Sequence, residues 1–177
     1  SQYEEALDGN PSNDVIIDSF ITLMEERNFD QEWVDAFLHS MELDIIKNSY
    51  ETIDELKEYL YGSAEVIGLM MAKIMDLPKA SYDPAMHLGR SMQYINFIRD
   101  IEEDLRLNRS YFPIEEMEQF GLPDLNLSTI SKHKLNFNTF INKQITRYFE
   151  WQRTAEAGFK YIPKRYLLPI KTASDMY

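Results

Sequence analysis

Cysteine is absent from the 177 residues, which excludes a disulfide framework, a thiolate metal site and a cysteine nucleophile. Long apolar runs are missing too. Nothing approaches the ~20 consecutive apolar residues that cross a bilayer, and Ser1 opens no secretory or transit pattern. Cations are scarce, 18 lysines and arginines against 30 aspartates and glutamates, for a net charge of −12. A polyanion held through lysine and arginine is the wrong partner for such a surface, so no nucleic acid is expected. An anionic small substrate would need cations supplied from solution. Only six glycines occur and no alternating strand with hairpin chemistry is found, which sets aside fibrous, low-complexity and β-rich classes. What is present is 44% hydrophobic and 13% aromatic, enough to build a core. The chain reads as one folded unit over residues 1–177, with no internal repeat or shift of composition.

Apolar residues recur at three- and four-residue spacing almost throughout, so the predicted class is all-α. Asn13 or Ser12 is placed to cap a first helix running to about Arg27, and Asp30 to cap a second carrying Trp33, Phe37, Leu38 and Met41. Thr52 followed by Glu55 is a capping-box pattern. It opens a helix through Tyr59, Tyr61 and Leu69 towards Met75, closed by Leu77-Pro78. Asp83-Pro84 reads as a cap with proline in the first turn, starting a helix that continues to just before Pro113. A short helix from Pro113 to Gln119 follows, then a loop from Gly121 to Ser128 and a long helix from Ser131 to about Tyr161. A break at Pro163 and a last helix from Lys164 to Tyr177, interrupted at Pro169, complete the prediction.

The chemistry concentrates in MQYINFIRDIEEDLRLNRSYFP, residues 92–113. At about 100° per residue, with Asn96 as zero, Asp100 falls near ~40°, Gln93 near ~60°, Asp104 near ~80° and Glu103 near ~−20°. Gly89 lies on the same side, where a missing side chain lets something approach closely. The bland reading is a solvated face, with Glu102 and Arg106 as an ordinary helix pair. Against it, Asn and Asp are weaker helix formers than Glu, Gln or Lys, yet this face takes Asn96, Asp100 and Asp104 at strict four-residue spacing. Such a ladder of short oxygen ligands suits a hard cation such as Mg²⁺, which shares its shell with waters and substrate phosphates. Arg99, Arg106 and Arg109 lie on or just beyond the helix, and guanidinium groups suit phosphate oxygens. Arg109 with Tyr111 is placed at the phosphate side.

The stretch LGRSMQYINFIRDIEEDLRLNRSYFP resembles the second aspartate-rich motif of the phytoene and squalene synthase family, LG-x3-Q-x2-N-x2-RD-x2-ED-x4-R-x-Y. It keeps Leu88, Gly89, Gln93, Asn96, Arg99, Asp100, Glu103, Asp104, Arg109 and Tyr111. Upstream, MELDIIKNSYETIDELKEYLYGSAEVIGLMM is similar to the family's M-x2-D segment and its tyrosine- and glycine-bearing helix, through Met41, Asp44, Tyr50, Leu56, Tyr59, Tyr61, Ala64, Gly68 and Leu69. The resemblance implies an isoprenoid synthase helical bundle, incomplete at the N-terminus and at the C-terminus. It implies a prenyltransferase that joins two prenyl diphosphates head to head with Mg²⁺, through a cyclopropylcarbinyl diphosphate. Geranylgeranyl diphosphate to phytoene is the first reading. Squalene or dehydrosqualene synthesis from farnesyl diphosphate is the alternative, and a non-catalytic helical scaffold the alternative of another class.

By that resemblance Asn96, Asp100, Glu103 and Asp104 are metal ligands, and Tyr61, Gln93, Asn96, Asp100 and Asp104 are catalytic. Gln93, Arg99, Arg109, Tyr111, Gly68 and Leu69 are substrate-binding. The Tyr61 ring would stabilise a carbocation through its π-face. Gly62, Ser63, Ala64 and Gly68 would leave room for a prenyl chain, in a tunnel lined by Leu69, Met70, Phe137, Phe140 and Ile141. The family's first aspartate-rich motif is not found. Asp14 and Asp18 have the DxxxD spacing, but on an ordinary amphipathic helix, and read as solvent-facing. An N-terminal segment or partner chain is therefore expected to complete the site, with these residues alone inactive. Glu65 stands where the family usually has glycine, and a carboxylate there needs a partner if buried. No glycine-rich dinucleotide fingerprint appears, which favours proton loss over reduction by NADPH. The expected location is cytoplasmic, with peripheral membrane contact because the product is so apolar.

Overall fold

Helices account for every regular element among residues 2–10 and 12–176, which are those the computed structural model describes, the side chain of Glu4 excepted. In chain order they are α1 Gln2–Leu7, α2 Val15–Arg27, α3 Gln31–Ile46, α4 Ile53–Leu60, α5 Val66–Ile74, α6 Tyr82–Arg99, α7 Ile101–Arg106, α8 Ile114–Gln119, α9 Leu127–Lys132, α10 Lys134–Glu156 and α11 Lys164–Asp175. A π-turn, Tyr61–Glu65, joins α4 to α5 without a loop. The all-α prediction holds. Tyr177, the predicted end of the last helix, lies outside the described residues.

Several boundaries differ from the predicted ones for local reasons. Asp14, not Asn13 or Ser12, caps α2: its carboxylate accepts from Ile16 N at 2.8 Å and Ile17 N at 3.4 Å. Asn13 sits at φ 60°, outside the extended region an N-cap uses, and the Ser12 hydroxyl binds Asp18 at 2.7 Å. Both members of the DxxxD pair thus have local structural roles. Helix α6 begins one residue before Asp83-Pro84, which fall inside its first turn. The long helix predicted from Ser131 is divided at His133 and ends at Glu156, with a 3-10 turn, Phe159–Tyr161, beyond it. Pro169 lies inside α11.

Two apolar clusters hold the bundle together. One gathers Tyr50, Leu56, Tyr59, Leu60, Tyr94, Phe97 and Phe140, and the other gathers Trp33, Val34, Val66, Leu69 and Met70. Burying a side chain such as Leu56, Leu60 or Phe140 contributes about 2–3 kcal/mol relative to leaving it exposed. Helix α6 is the spine, packed against α10, α5 and the π-turn. Its rotation is pinned by buried polar contacts: Ser91 donates to Gln152 Oε1 at 2.9 Å, Tyr94 to Gln144 Oε1 at 2.5 Å, and Arg147 to the Tyr94 hydroxyl at 2.9 Å. Arg147 is itself ion-paired to buried Glu116. On the other side, a Cβ at Gly89 would stand 2.2 Å from the Ala64 carbonyl oxygen, and one at Gly68 would stand 2.2 Å from that of Ala85. The approach inferred at Gly89 is therefore made by a neighbouring backbone. Antiparallel contact between α6 and the α4–α5 rod depends on both glycines lacking side chains.

Candidate functional site

The oxygen ladder spans a helix break. Asp100 adopts φ −100°, ψ 16°, ending α6 and preceding α7, so the single helix predicted from Asp83 to Pro113 is two. The one-turn spacing survives, because Asp100 N still donates to Asn96 O at 2.8 Å and Asp104 N to Asp100 O at 2.9 Å. Helix α7 then closes on Asn108 at φ 57°. The paired bonds Asn108 N to Leu105 O, 3.0 Å, and Arg109 N to Asp104 O, 2.9 Å, form a Schellman motif. That motif turns Arg109 back beside the rung it follows.

Each rung has its own electrostatics. The Asn96 Oδ1 atom is buried and has no hydrogen-bond partner among the described residues. Asp100 accepts from Arg99 Nε at 2.7 Å and Nη2 at 2.5 Å, which holds its carboxyl below the usual aspartate range. Asp104 goes the other way: burial, then the charges of Asp100 and Glu103, outweigh Arg109 and push its carboxyl up to about 6. Glu103 is exposed, and Gln93 lies half-buried one turn before Asn96. Among the described residues no three His, Asp or Glu side chains converge on a point that could hold a metal ion. The ladder is one wall of oxygens.

A second group stands against Asp104. The chain after α7 runs alongside residues 48–51, with Ser110 N bonded to Asn48 O at 2.9 Å and Ile114 N to Tyr50 O at 2.9 Å. This brings Arg109 Nη2 to the Asp44 carbonyl oxygen, 2.6 Å, and lays Tyr111 flat on Phe97, centroids 4.0 Å apart at 7°. Tyr59 donates to Asp44 Oδ1 at 2.9 Å. Burial raises the Tyr111 hydroxyl above the usual tyrosine range. The sequence reading matched Asp44 and Tyr59 to a pattern without giving them a role. No local spacing signals their contact, which crosses the turn between α3 and α4.

Tyr61, which the resemblance sets facing the reaction centre, lies on the Trp33 side of the rod. It packs against the Trp33 cluster; burial, then the charges of Glu32, Glu65 and Asp30, raise its hydroxyl, and none of these belongs to the ladder. Tyr59 is the tyrosine bonded to Asp44, whose carbonyl oxygen holds Arg109. A cavity of about 240 Å³ lies between the α5–α6 pair and the segment 155–170, lined by Gly68, Met71, Leu88, Met92, Phe159 and Ile162 among others. Gly68 lines it, but the space expected at Gly62 and Gly68 for a chain is taken by neighbouring backbone, the Ala36 and Ala85 carbonyl oxygens each 2.2 Å from where a Cβ would stand. Leu69 and Met70 do not line it; they are buried in the Trp33 cluster, while Phe140 is buried in the first cluster with Phe137 and Ile141 packed against it. Met92 ends the cavity one helical turn, about 6 Å, before Asn96. Glu65 is 1% exposed and has the partner it requires: Arg90 Nε to Oε1 at 2.6 Å and Nη2 to Oε2 at 2.9 Å. The Arg90 guanidinium also lies over the Trp151 ring, 5.1 Å from its centroid.

The squalene/phytoene synthase family model matches residues 1–177. The 15-cis-phytoene synthase of Enterobacter agglomerans is 33% identical over 136 residues, 76% of this chain and 46% of that protein. Phytoene synthase 2, chloroplastic, of Solanum lycopersicum is 31% identical over 147 residues, 79% of this chain and 47% of that protein. The chain spans about half the length of these two relatives. Among solved structures, squalene synthase HpnC from Alicyclobacillus acidocaldarius superposes with a TM-score of 0.80 at 20% identity, over 98% of this chain and 65% of that one. A dehydrosqualene synthase in complex with ligand gives 0.82 at 23%, over 99% and 62%. At such identities the structural likeness shows the fold.

Proposed function

Since the chain belongs to the squalene/phytoene synthase family, we propose that it carries the metal- and diphosphate-binding wall of a head-to-head prenyl synthase, with condensation of geranylgeranyl diphosphate to phytoene as the first reading. The curated relatives named phytoene synthase support that order of preference. Farnesyl diphosphate is the alternative substrate. The carrying observation is the buried, unpartnered Asn96 Oδ1 in register with Asp100 and Asp104. A buried acceptor without a partner costs about 1–3 kcal/mol, and a hard cation removes that penalty.

The donor set fits Mg²⁺ from one side. Asn96, Asp100 and Asp104 would hold it, with Glu103 at the exposed edge, and waters and diphosphate oxygens would complete the shell. When bound, the ion supplies Lewis-acid stabilisation to the departing diphosphate. Burial, then the charges of Asp100 and Glu103, raise the Asp104 carboxyl despite Arg109, and a cation bound there would favour its ionised form. Arg99, Arg109 and Tyr111 take diphosphate oxygens, and Gln93 orients the reacting end. The prenyl tail lies along α6 past Met92 into the apolar cavity. An engineered cavity of about 150 Å³ accepts benzene, so the volume here admits a longer hydrocarbon segment. Tyr59, with Tyr111 and Phe97, supplies the aromatic side of the site. Opposing charge comes from polypeptide beyond these residues or from a partner chain.

The test is condensation of labelled geranylgeranyl and farnesyl diphosphates by the chain in its full-length context, with and without Mg²⁺. Magnesium-dependent formation of phytoene is expected. No condensation of either substrate would overturn the reading in favour of a helical scaffold.

A further inference from the structure

Charge is unevenly spread along this acidic chain. Residues 157–174 hold four cations, Lys160, Lys164, Arg165 and Lys171, and no aspartate or glutamate, which leaves −16 on the remainder against −12 overall. All four are exposed, and none meets a carboxylate at ion-pairing distance among the described residues. Lys160 and Arg165 instead lie over the rings of their neighbours Tyr161 and Tyr166, at 4.9 and 4.4 Å from the centroids. On α11, Lys164, Leu168 and Lys171 fall within about 60° of one another, and Leu168 is 74% exposed in the middle of that stripe. Arg165 flanks it, and exposed Asp175 in the last turn is its one acid. The other side of the segment is turned inward. Ser174 is buried and hydrogen-bonded to Gln152, and Phe159, Ile162 and Ile170 line the apolar cavity.

We propose that the outward face of α11, with the 3-10 turn before it, docks on an anionic lipid surface. Both parts of an interfacial helix are present: a cationic stripe for the headgroups and an apolar side chain at its centre. Tyrosine rings beside the cations suit the same depth, apolar in body and polar at the tip. A nucleic acid or an acidic polypeptide would use the four cations and leave Leu168 without a partner. The remainder of the chain, at −16, is repelled by an anionic leaflet, so electrostatics alone turns α11 towards it. In that pose the cavity lies about one helix diameter, ~10 Å, behind the headgroups. For the apolar molecules of the function proposed above, the path between bilayer and cavity is then short.

Co-sedimentation of the full chain with vesicles, in the absence of prenyl diphosphate and metal, tests the docking independently of condensation. Vesicles of phosphatidylcholine with phosphatidylglycerol should bind the chain, and vesicles of phosphatidylcholine alone should bind it far less. Salt at about 1 M, where the screening length falls to ~3 Å, should release it. Lys164→Gln and Lys171→Gln should each weaken binding about fivefold, and Leu168→Ser about tenfold. Removing two exposed lysines elsewhere, Lys132→Gln with Lys134→Gln, should leave binding unchanged. No vesicle binding, equal binding to both vesicle types, or equal losses from the α11 and the Lys132 and Lys134 variants would overturn the docking face. Binding to soluble polyglutamate with none to vesicles would overturn it in favour of an acidic polypeptide. A chain that docks through α11 yet condenses no prenyl diphosphate would support the docking and overturn the proposed function instead.

Discussion

Gly89→Ala sets two known effects against each other. In an exposed helix interior alanine is favoured over glycine by about 1 kcal/mol. Here the added Cβ would stand 2.2 Å from the Ala64 carbonyl oxygen and 2.8 Å from its carbon, far inside the ~3.5–4 Å of a favourable contact. The obstacle is backbone, so no rotamer relieves it, and the π-turn that carries it is tied to α6 by the Glu65–Arg90 pair. Relief requires α6 and the α4–α5 rod to separate, and overpacking of that kind costs ~1–3 kcal/mol. Taken toward the upper end for a backbone clash, it leaves a net loss of about 1–2 kcal/mol. For a chain of this size that lowers the melting temperature by roughly 2–8 °C. Thermal unfolding followed by circular dichroism measures it. A variant as stable as wild type, or more so, would refute the close packing of α6 against the π-turn.

Asp104→Asn, studied in chelator, should raise stability at neutral pH by about 1 kcal/mol, the nominal value being discounted for solvent screening. The folded carboxyl is raised to about 6, so its ionisation opposes folding above that pH; the advantage of Asn should shrink as pH falls from about 6 towards the unfolded value near ~4. Asn96→Leu should leave stability unchanged or raise it by about 1 kcal/mol, because it removes an unsatisfied buried oxygen, while abolishing magnesium-dependent pyrophosphate binding by calorimetry. Glu65→Ala leaves Arg90 largely buried and unpaired and should cost about 3 kcal/mol in urea unfolding, whereas the paired change Glu65→Leu with Arg90→Leu should recover most of it. Burial raises the Glu116 carboxyl, but Arg147, Gln144 and Lys143 outweigh it and the net shift is downward. The stability it contributes is full above the unfolded value near ~4.3 and lost as pH falls through the lower folded value. Glu116→Gln should flatten that acid limb of the stability curve.

Helix existence was readable from periodicity, and the one-turn spacing of Asn96, Asp100 and Asp104 carried the ladder intact across a break that periodicity did not show. The stop of α7 was hidden because it uses Asn108 in the left-handed conformation, where glycine is the usual sign. Rotation about the rod was the larger loss. Counting at about 100° per residue from Tyr59 onwards assumes an unbroken α-helix, and the π-turn at Tyr61–Glu65 breaks that count. The resemblance, not the helical count, set Tyr61 at the reaction centre and Leu69 in the tunnel; in the structure both belong to the Trp33 cluster, and Met71 lines the cavity. The contacts of Asp44 with Tyr59 and of Glu65 with Arg90 join residues 15 and 25 positions apart, and no short pattern encodes them.

The π-turn lets one continuous rod serve two masters. Ahead of it Leu56 and Leu60 point into the aromatic cluster, and behind it Val66, Leu69 and Met70 point into the tryptophan cluster. Excising a single residue from Tyr61–Glu65 would restore ordinary winding while spinning everything downstream by about 100°. Such a deletion barely changes length, yet it would turn the Gly68 and Met71 side of α5 away from its neighbours and erase the cavity that side helps to line.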